Sequence, residues 1–431
     1  MHMSKLGRGL RLAARCVAGT AVISGLALSS AAAQTKVRWL HVEQNPLVVE
    51  YWKEVAQDFE KANPGTTIEM QFLENESFKA KLPTLLQSAD APHLFYSWAG
   101  GVMRAQVDAG AVKDITKEMS GEWMDGLNPS AAKAFNHKGK FWGAPERMTR
   151  IEFFYNKALF RKAGVDAGQI RTWNDFLKAV ETIKKAGITP IAVGGGEKWP
   201  VHFYWVYLAI RQGGQAAFQE ATSGKGDGFA GPTFVKAGQL FKQLADLEPF
   251  QPGWQGTMWP ATLGAFGDGR AAMVLSFSGT TPVLQRRNSA SGQGIPDEEL
   301  GTFSFPVVEG GKGLPTDTMG GINGWLVGRN APKEAVDFLR FLTRAENQRK
   351  MGARNLYIPI AKGADAAITS PLLKASAEGL AASTYHQNFY DQDLGPAVGR
   401  VVNDTTTDLA AGHLTPEQAA RAIQDAWELE R

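Results

Sequence analysis

Apolar positions recur along this chain with two alternating periods. Residues 37–40 read as a buried strand, and Leu47, Tyr51, Val55 and Phe59 recur at i, i+4, which predicts a helix over 47–61. Asn63-Pro64-Gly65 ends that helix, because proline cannot continue the hydrogen-bond ladder and glycine accepts the turn. Ile68, Met70 and Phe72 alternate as in a second strand, Leu82, Leu85 and Leu86 predict a helix over 79–87, and 93–96 reads as a third strand. This order predicts an α/β lobe with a largely parallel sheet.

A second lobe is predicted to start around 144–150, with a new apolar strand at 151–155. Thr172 and Asp175 have capping-box spacing and open a helix that runs to about Lys185, before Gly187. A strand over 189–193 leads into Gly194-Gly195-Gly196, and ligands in such sheets bind beyond the carboxyl ends of strands, where that turn lies. Strands over 272–275 and 322–327 follow, then an amphipathic helix over 331–343 with Ala335, Phe338, Leu339 and Leu342 on one face. The tail shows Thr415 as N-cap, Pro416 at the first helical position and Gln418 closing the box, ahead of a helix through Trp427.

The first 33 residues break the pattern. Lys5, Arg8, Arg11 and Arg15 precede a short apolar run from Cys16 to Leu28, and Ala31-Ala32-Ala33 before Gln34 suits a signal peptidase. The run falls short of the roughly 18–20 residues a spanning helix needs, so an export signal cleaved near Ala33 is expected. The single cysteine, Cys16, lies inside it and ahead of the apolar segment, which excludes both disulfides and a lipidated start for the product. Removing four basic residues and no acids takes the formal charge from +3 to −1, so nothing electrostatic points to nucleic acid. The remainder is too long for one ordinary core, and two lobes in a soluble periplasmic protein are expected.

Four segments, taken together, resemble the extracellular solute-binding proteins of bacterial ATP-binding-cassette importers of sugar type. They are Phe154-Tyr-Asn-Lys-Ala-Leu-Phe160 with Thr172-Trp-Asn-Asp-Phe176 and Gly187-Ile-Thr-Pro-Ile191; Ala265-Phe-Gly-Asp-Gly-Arg-Ala-Ala-Met273; Gly320-Gly321 with Ala335-Val-Asp-Phe-Leu-Arg-Phe-Leu342; and Tyr390-Asp-Gln-Asp-Leu-Gly-Pro396. The resemblance implies a two-lobed α/β periplasmic-binding-protein fold, with a ligand cleft between lobes and three crossings near 144–150, 316–323 and 348–357. One lobe would comprise 34–146 with 324–347, the other 147–323 with 348–431. It further implies a monomer that hands a small carbohydrate to a membrane permease.

Sugars present apolar C–H faces ringed by hydroxyls, so a site for them needs flat aromatic platforms bordered by polar groups. Trp98, at a predicted strand end before Ala99-Gly100-Gly101, is the leading platform, matching a position where the family often places a cleft aromatic. Trp254 and Trp259, in the loop-like stretch 251–262, and Trp199, after the triple glycine, are further candidates, each of which could equally pack locally. Trp52, Trp123, Trp173, Trp205 and Trp427 sit in helical contexts that favour core packing. Glu43 and Gln44 follow the first strand, where the family places polar contacts, though a solvated loop reads equally well. Arg354 and Arg147 could fork onto hydroxyls or a phosphate, or form salt bridges. Gly279, Gly320 and Gly321 could let backbone approach a ligand or make tight turns, with Asn323 as an amide donor beside them.

Other chemistries find little support. Seven histidines are scattered without a His-Glu-x-x-His pattern, and neither a Walker loop nor a Gly-x-Ser-x-Gly elbow occurs. Gly226-Asp-Gly-Phe-Ala-Gly231 fits a dinucleotide fingerprint but follows no strand. No metal or cofactor is expected. A glycosidase would need opposed carboxyl groups, for which Glu146 with Glu152 or Asp391 with Asp393 are the available pairs. A binding protein for a glycerol phosphodiester, its charge met by Arg147 and Arg354, is the main alternative.

Overall fold

A computed structural model describes residues 34–430, so the export signal expected in 1–33 lies outside it. Two sheets organise the described chain. The larger has six strands in the order Ile358–Pro359, Gly143–Met148, Ile322–Val327, Leu94–Ser97, Thr35–His41, Thr66–Phe72. Thr35–His41 runs parallel to both neighbours, with Trp39 opposite Met70 and Leu94, while the other three pairings are antiparallel. The predicted largely parallel sheet is therefore mixed. Thr35–His41, Leu94–Ser97 and Gly143–Met148 all run toward the cleft, whereas Ile322–Val327 and Ile358–Pro359 start there and must run the other way.

The smaller sheet has the order Leu300–Phe303, Ile151–Asn156, Met273–Phe277, Ile191–Ala192. Only its last pair is parallel. Each sheet has its own core. Around the first, Trp39, Trp52 and Trp325 meet with centroids 4.9–5.2 Å apart, and the amphipathic helices Pro46–Ala62 and Lys333–Thr343 bury their apolar faces there. Around the second, Phe153 stacks on Phe303 and Phe305, and Tyr207 stacks on Phe305 at 4.5 Å.

The chain crosses between the sheets first at Thr149 and Arg150, which separate Gly143–Met148 from Ile151–Asn156. The second crossing runs beside it. Thr149 N–H donates to the Gly321 carbonyl at 2.9 Å, and Gly321 N–H donates to Thr149 Oγ1 at 3.0 Å. The third lies later than the expected 348–357. Helix Ala345–Ala353 buries Met351 in the first core, and Ile358–Pro359 pairs with Met148 and Arg147 in the larger sheet. Residues 348–359, assigned to the second lobe from sequence, thus belong to the first, because helix and strand continue its core without a break. Helix Pro371–Ala381 then straddles the hinge, with Leu373 and Leu380 in the first core and Ser376 bonded to Glu152 of the smaller sheet. By Phe389 and Tyr390 the chain is in the second core.

The lobes also touch away from the hinge. Asn388 Nδ2 donates to the Trp98 carbonyl at 2.9 Å, and Arg104 donates to the Asp393 carbonyl at 2.7 Å. No described helix is long and apolar enough to cross a membrane.

Both predicted capping boxes form. Thr172 Oγ1 accepts from Asp175 N–H at 3.2 Å while Thr172 N–H reaches Asp175 Oδ2 at 3.0 Å, and Thr415 with Gln418 repeats the exchange at 3.2 and 2.9 Å. Thr172→Ala should lower unfolding stability by about 1 kcal/mol in a urea titration, the usual cost of losing an N-cap hydroxyl.

Candidate functional site

Strand ends from both sheets converge on a cavity of about 120 Å³. That is several times the roughly 10–15 Å³ needed to admit a single water. The second lobe lines it with one continuous aromatic surface. Trp199, Trp259 and Phe277 lie with centroids 5.5–5.7 Å apart, and Phe389 joins Phe277 at 5.9 Å and Phe203 at 5.5 Å. Trp98 stands on the first-lobe side, its ring edge-on to Tyr96 at 4.9 Å and to Phe78 at 5.8 Å, with Lys79 Nζ 5.7 Å from its centroid. It marks where the central cavity meets a neighbouring one of about 510 Å³. A third cavity, bordered by Lys53, Phe72, Met258, Pro260 and Arg287, opens past Glu43, Gln44 and Glu197.

The first-lobe floor is an ionic cluster. Arg147 donates to Glu43 Oε2 at 3.0 Å and to the Tyr96 hydroxyl at 3.2 Å, and its guanidinium lies 4.0 Å from the Tyr357 ring centroid. Tyr357 O–H donates to the same Glu43 oxygen at 2.8 Å, while Glu43 Oε1 takes the backbone N–H groups of Gln44 and Asn45 at 3.0 and 2.8 Å. Glu146 accepts from Trp52 Nε1 at 2.5 Å, and burial raises its carboxyl above the ordinary range. Glu43 and Arg147 therefore line the cavity with most of their bonding capacity spent on each other and on neighbouring strands.

Among the described residues, five buried atoms of the wall have no hydrogen-bond partner: Arg147 Nε, Trp199 Nε1, both ring nitrogens of His202 and Asn323 Oδ1. A buried polar atom left unpaired is costly, so this wall has donors and acceptors in reserve. The wall charges are otherwise matched. Lys79 lies 3.0 Å from Glu76 and 3.7 Å from Asp391. Glu197 is the exception. Its Oε2 accepts from Trp259 N–H at 2.5 Å, and burial, with Glu74 and Glu76 adding, pushes the carboxyl up to about 7.

Of the residues singled out from sequence, the cavity brings together Glu43, Gln44, Trp98, Arg147, Trp199, Trp259 and Asn323. The others lie elsewhere. Trp254 packs on Phe250 at 5.2 Å, within a 3₁₀ turn, and Trp259 opens the helix Trp259–Gly267, so 251–262 is not the open loop expected. Gly279, with φ of 80°, presses against the Leu356 carbonyl, and a Cβ on Gly320 would strike that of Thr149. A Cβ on Gly321 would meet the Asn323 side chain and the Phe389 ring. These three glycines pack hinge strands against one another instead of against a guest. Arg354 bonds Glu54 at 2.5 Å on the outside of the first lobe. Sequence reasoning missed Tyr96, Tyr357, Phe277, Phe389 and Glu197. Tyr96 looked like an ordinary strand residue and Phe277 fell just beyond the strand expected over 272–275, and only their places at strand ends could have signalled the cleft.

Neither proposed carboxyl pair faces across the cavity. Glu146 and Glu152 are buried in separate lobes, Glu152 on Ser376, and Asp393 is tied to Gln387 Nε2 at 3.1 Å. Among the described residues no group of three or more His, Cys, Asp or Glu side chains could hold a metal ion.

A family model described as bacterial extracellular solute-binding protein matches residues 45–349. The chain belongs to this family. The solute-binding protein is 24% identical over 351 residues to the multiple sugar-binding protein of Streptococcus mutans, covering 76% of this chain and 78% of that one. It is 26% identical over 373 residues to the sn-glycerol-3-phosphate-binding periplasmic protein of Agrobacterium fabrum, covering 80% and 78%. A solved structure of a chitin oligosaccharide binding protein superposes with a TM-score of 0.81 at 24% identity, over 92% of this chain and 98% of the other. The two-lobed α/β architecture of this solute-binding protein is thus that of its family.

Arg147→Ala would leave the Glu43 carboxylate buried without its counter-ion, and should lower stability by about 3–5 kcal/mol. Arg354→Ala removes a half-exposed pair and should cost at most about 1 kcal/mol in the same urea titration.

Proposed function

We propose that this solute-binding protein is exported to the periplasm, captures a small carbohydrate between its lobes and delivers it intact to the permease of an ATP-binding-cassette importer. The observation that carries this reading is the pairing of a continuous aromatic wall with unpaired polar atoms, Asn323 Oδ1 and Trp199 Nε1 among them, around one interlobe cavity. Indole and phenyl faces suit the C–H faces of a pyranose, and the unpaired atoms suit its hydroxyls. Names of relatives that refer to sugars support the same class.

Ligand that touches both lobes favours the closed form, since only that form makes both sets of contacts. No step breaks a bond, and none of the wall residues is assigned a catalytic role. The glycerol phosphodiester alternative is less well served, although one relative is named for glycerol phosphate. Lys79 and Arg147, the basic residues of the central wall, are already engaged by acids. A neutral guest leaves those pairs intact.

Native mass spectrometry and thermal shifts against mono-, di- and oligosaccharides and glycerol phosphodiesters test the assignment. Stabilisation by a saccharide is expected, and stabilisation by the phosphodiester alone would overturn it, as would release of reducing sugar by the pure protein. Trp98→Ala should weaken saccharide binding by about 1–2 kcal/mol in calorimetry, the scale of an interface aromatic. Trp427, edge-on to Phe229 at 6.0 Å in the second core, is the control. Its replacement by Ala should lower the unfolding midpoint and leave affinity unchanged.

A further inference from the structure

The turn 194–198 is built to hold one acid in place. Gly195 N–H donates to the Trp254 carbonyl at 2.8 Å and Gly196 N–H to that of Thr257 at 3.0 Å. A Cβ on Gly195 would collide with Trp254, and one on Gly196 with Met258, so the glycines let the turn lie flat on the 254–259 segment. Lys198 takes a φ of 66°, a left-handed conformation that a residue with a Cβ disfavours. Between them Glu197 is only 8% exposed and borders the central cavity and both cavities that adjoin it. Its Oε2 is fixed by Trp259 N–H, and Oε1 has no partner in another described residue.

The charges around it give it no counter-ion. Across the cleft stand Glu74 and Glu76, at the start of helix Asn75–Leu85. Lys79 on that helix is taken by Glu76 and Asp391, and Arg147 by Glu43 and Glu146. On its own lobe, Lys198 pairs with Asp404 at 2.7 Å, and Asp391 lies 4.0 Å from His202. Lys53 and Arg287 border the outer cavity, and among the described residues no basic side chain lies within 4.0 Å of Glu197.

We propose that Glu197 is a specificity-determining residue that meets the captured saccharide as a neutral carboxylic acid, its O–H donating to a ligand oxygen, so that closing the cleft takes up one proton. This rests on the reading of the cleft as a saccharide site. With the lobes apart the carboxyl is hydrated and ionises as an ordinary glutamate. Closed, it loses water and faces Glu74 and Glu76, which together move its titration up to about 7. A group whose pKa rises on closure favours closure fully below its open-form value, and that contribution is lost as pH rises through about 7. Burial with Arg147 holds the nearby His41 down to about 4, and burial holds His202 low, so neither imitates the effect.

The test is calorimetry with the tightest binder among glucose, maltose, cellobiose, xylobiose and N,N′-diacetylchitobiose, from about pH 6 to 8.5, in buffers of differing ionisation enthalpy. Wild-type affinity should fall by about tenfold across this range, with uptake of close to one proton on binding at pH 6. Glu197→Gln, a permanently neutral donor, should bind within about threefold of wild type at pH 6, keep that affinity at pH 8.5 and take up no proton. Glu197→Ala should bind more weakly throughout. A flat or rising wild-type profile overturns the proposal, as does a Glu197→Gln variant at least tenfold weaker at pH 6, which would mark an ionised acceptor. Failure of every saccharide to bind would instead overturn the carbohydrate reading beneath it.

Discussion

One guanidinium holds the cleft side of the first lobe together. Arg147, at the end of Gly143–Met148, bonds Glu43 beyond the first strand, touches Tyr96 on the third and lies against Tyr357 just before Ile358–Pro359. Four chain segments far apart in sequence are thereby brought to one point. A planar group with a fixed fork of donors suits this task, because it bonds a carboxylate and stacks on rings at once. The surrounding rings also explain how a charge can be kept in so dry a place, since both Glu43 and the faces of Trp52, Tyr96 and Tyr357 offset its loss of water. The cavity floor is thus rigid before any guest arrives.

The second lobe contributes the opposite character. Its rings form one patch from Trp259 through Trp199 and Phe277 to Phe389, and it reaches the cavity from helix starts, a strand end and the late C-terminal segment. The ionic cluster lies in the floor and the ring patch in the wall, with Trp98 on the first-lobe side and Glu197 on the second crossing that division. A closing motion brings them together around whatever lies between.

Much of this was legible in sequence wherever the signal was local. Helix 173–185 announced itself through Thr172 and Asp175, and the final helix through Thr415, Pro416 and Gln418, because a cap needs only neighbours in the chain. Trp98 was singled out because it follows a strand end before glycines and because the family resemblance implies a cleft aromatic there, and it does border the cavity. The third crossing was carried over from the family resemblance and lies later in the structure; the sequence itself could not place it, since helix Ala345–Ala353 carries few apolar residues and nothing nearby shows that Ile358 and Pro359 rejoin a strand some two hundred residues earlier. Trp254 misled because an aromatic without periodic partners can still find one across a turn, here Phe250. Glu197 escaped notice since an acid after three glycines looks solvated until the fold covers it. Non-local contacts decide such cases, and a linear pattern does not record them.

The contacts of Asn388 with the Trp98 carbonyl and of Arg104 with that of Asp393 fasten the lobes along a single flank. Opening the cleft must break both, so the closed arrangement carries its own fastening before any guest is held. Phe72 and Met258, two of the few large apolar side chains exposed among the described residues, border the outer cavity that opens past Glu43, Gln44 and Glu197. The approach from that cavity is thus apolar where most of the surface is polar.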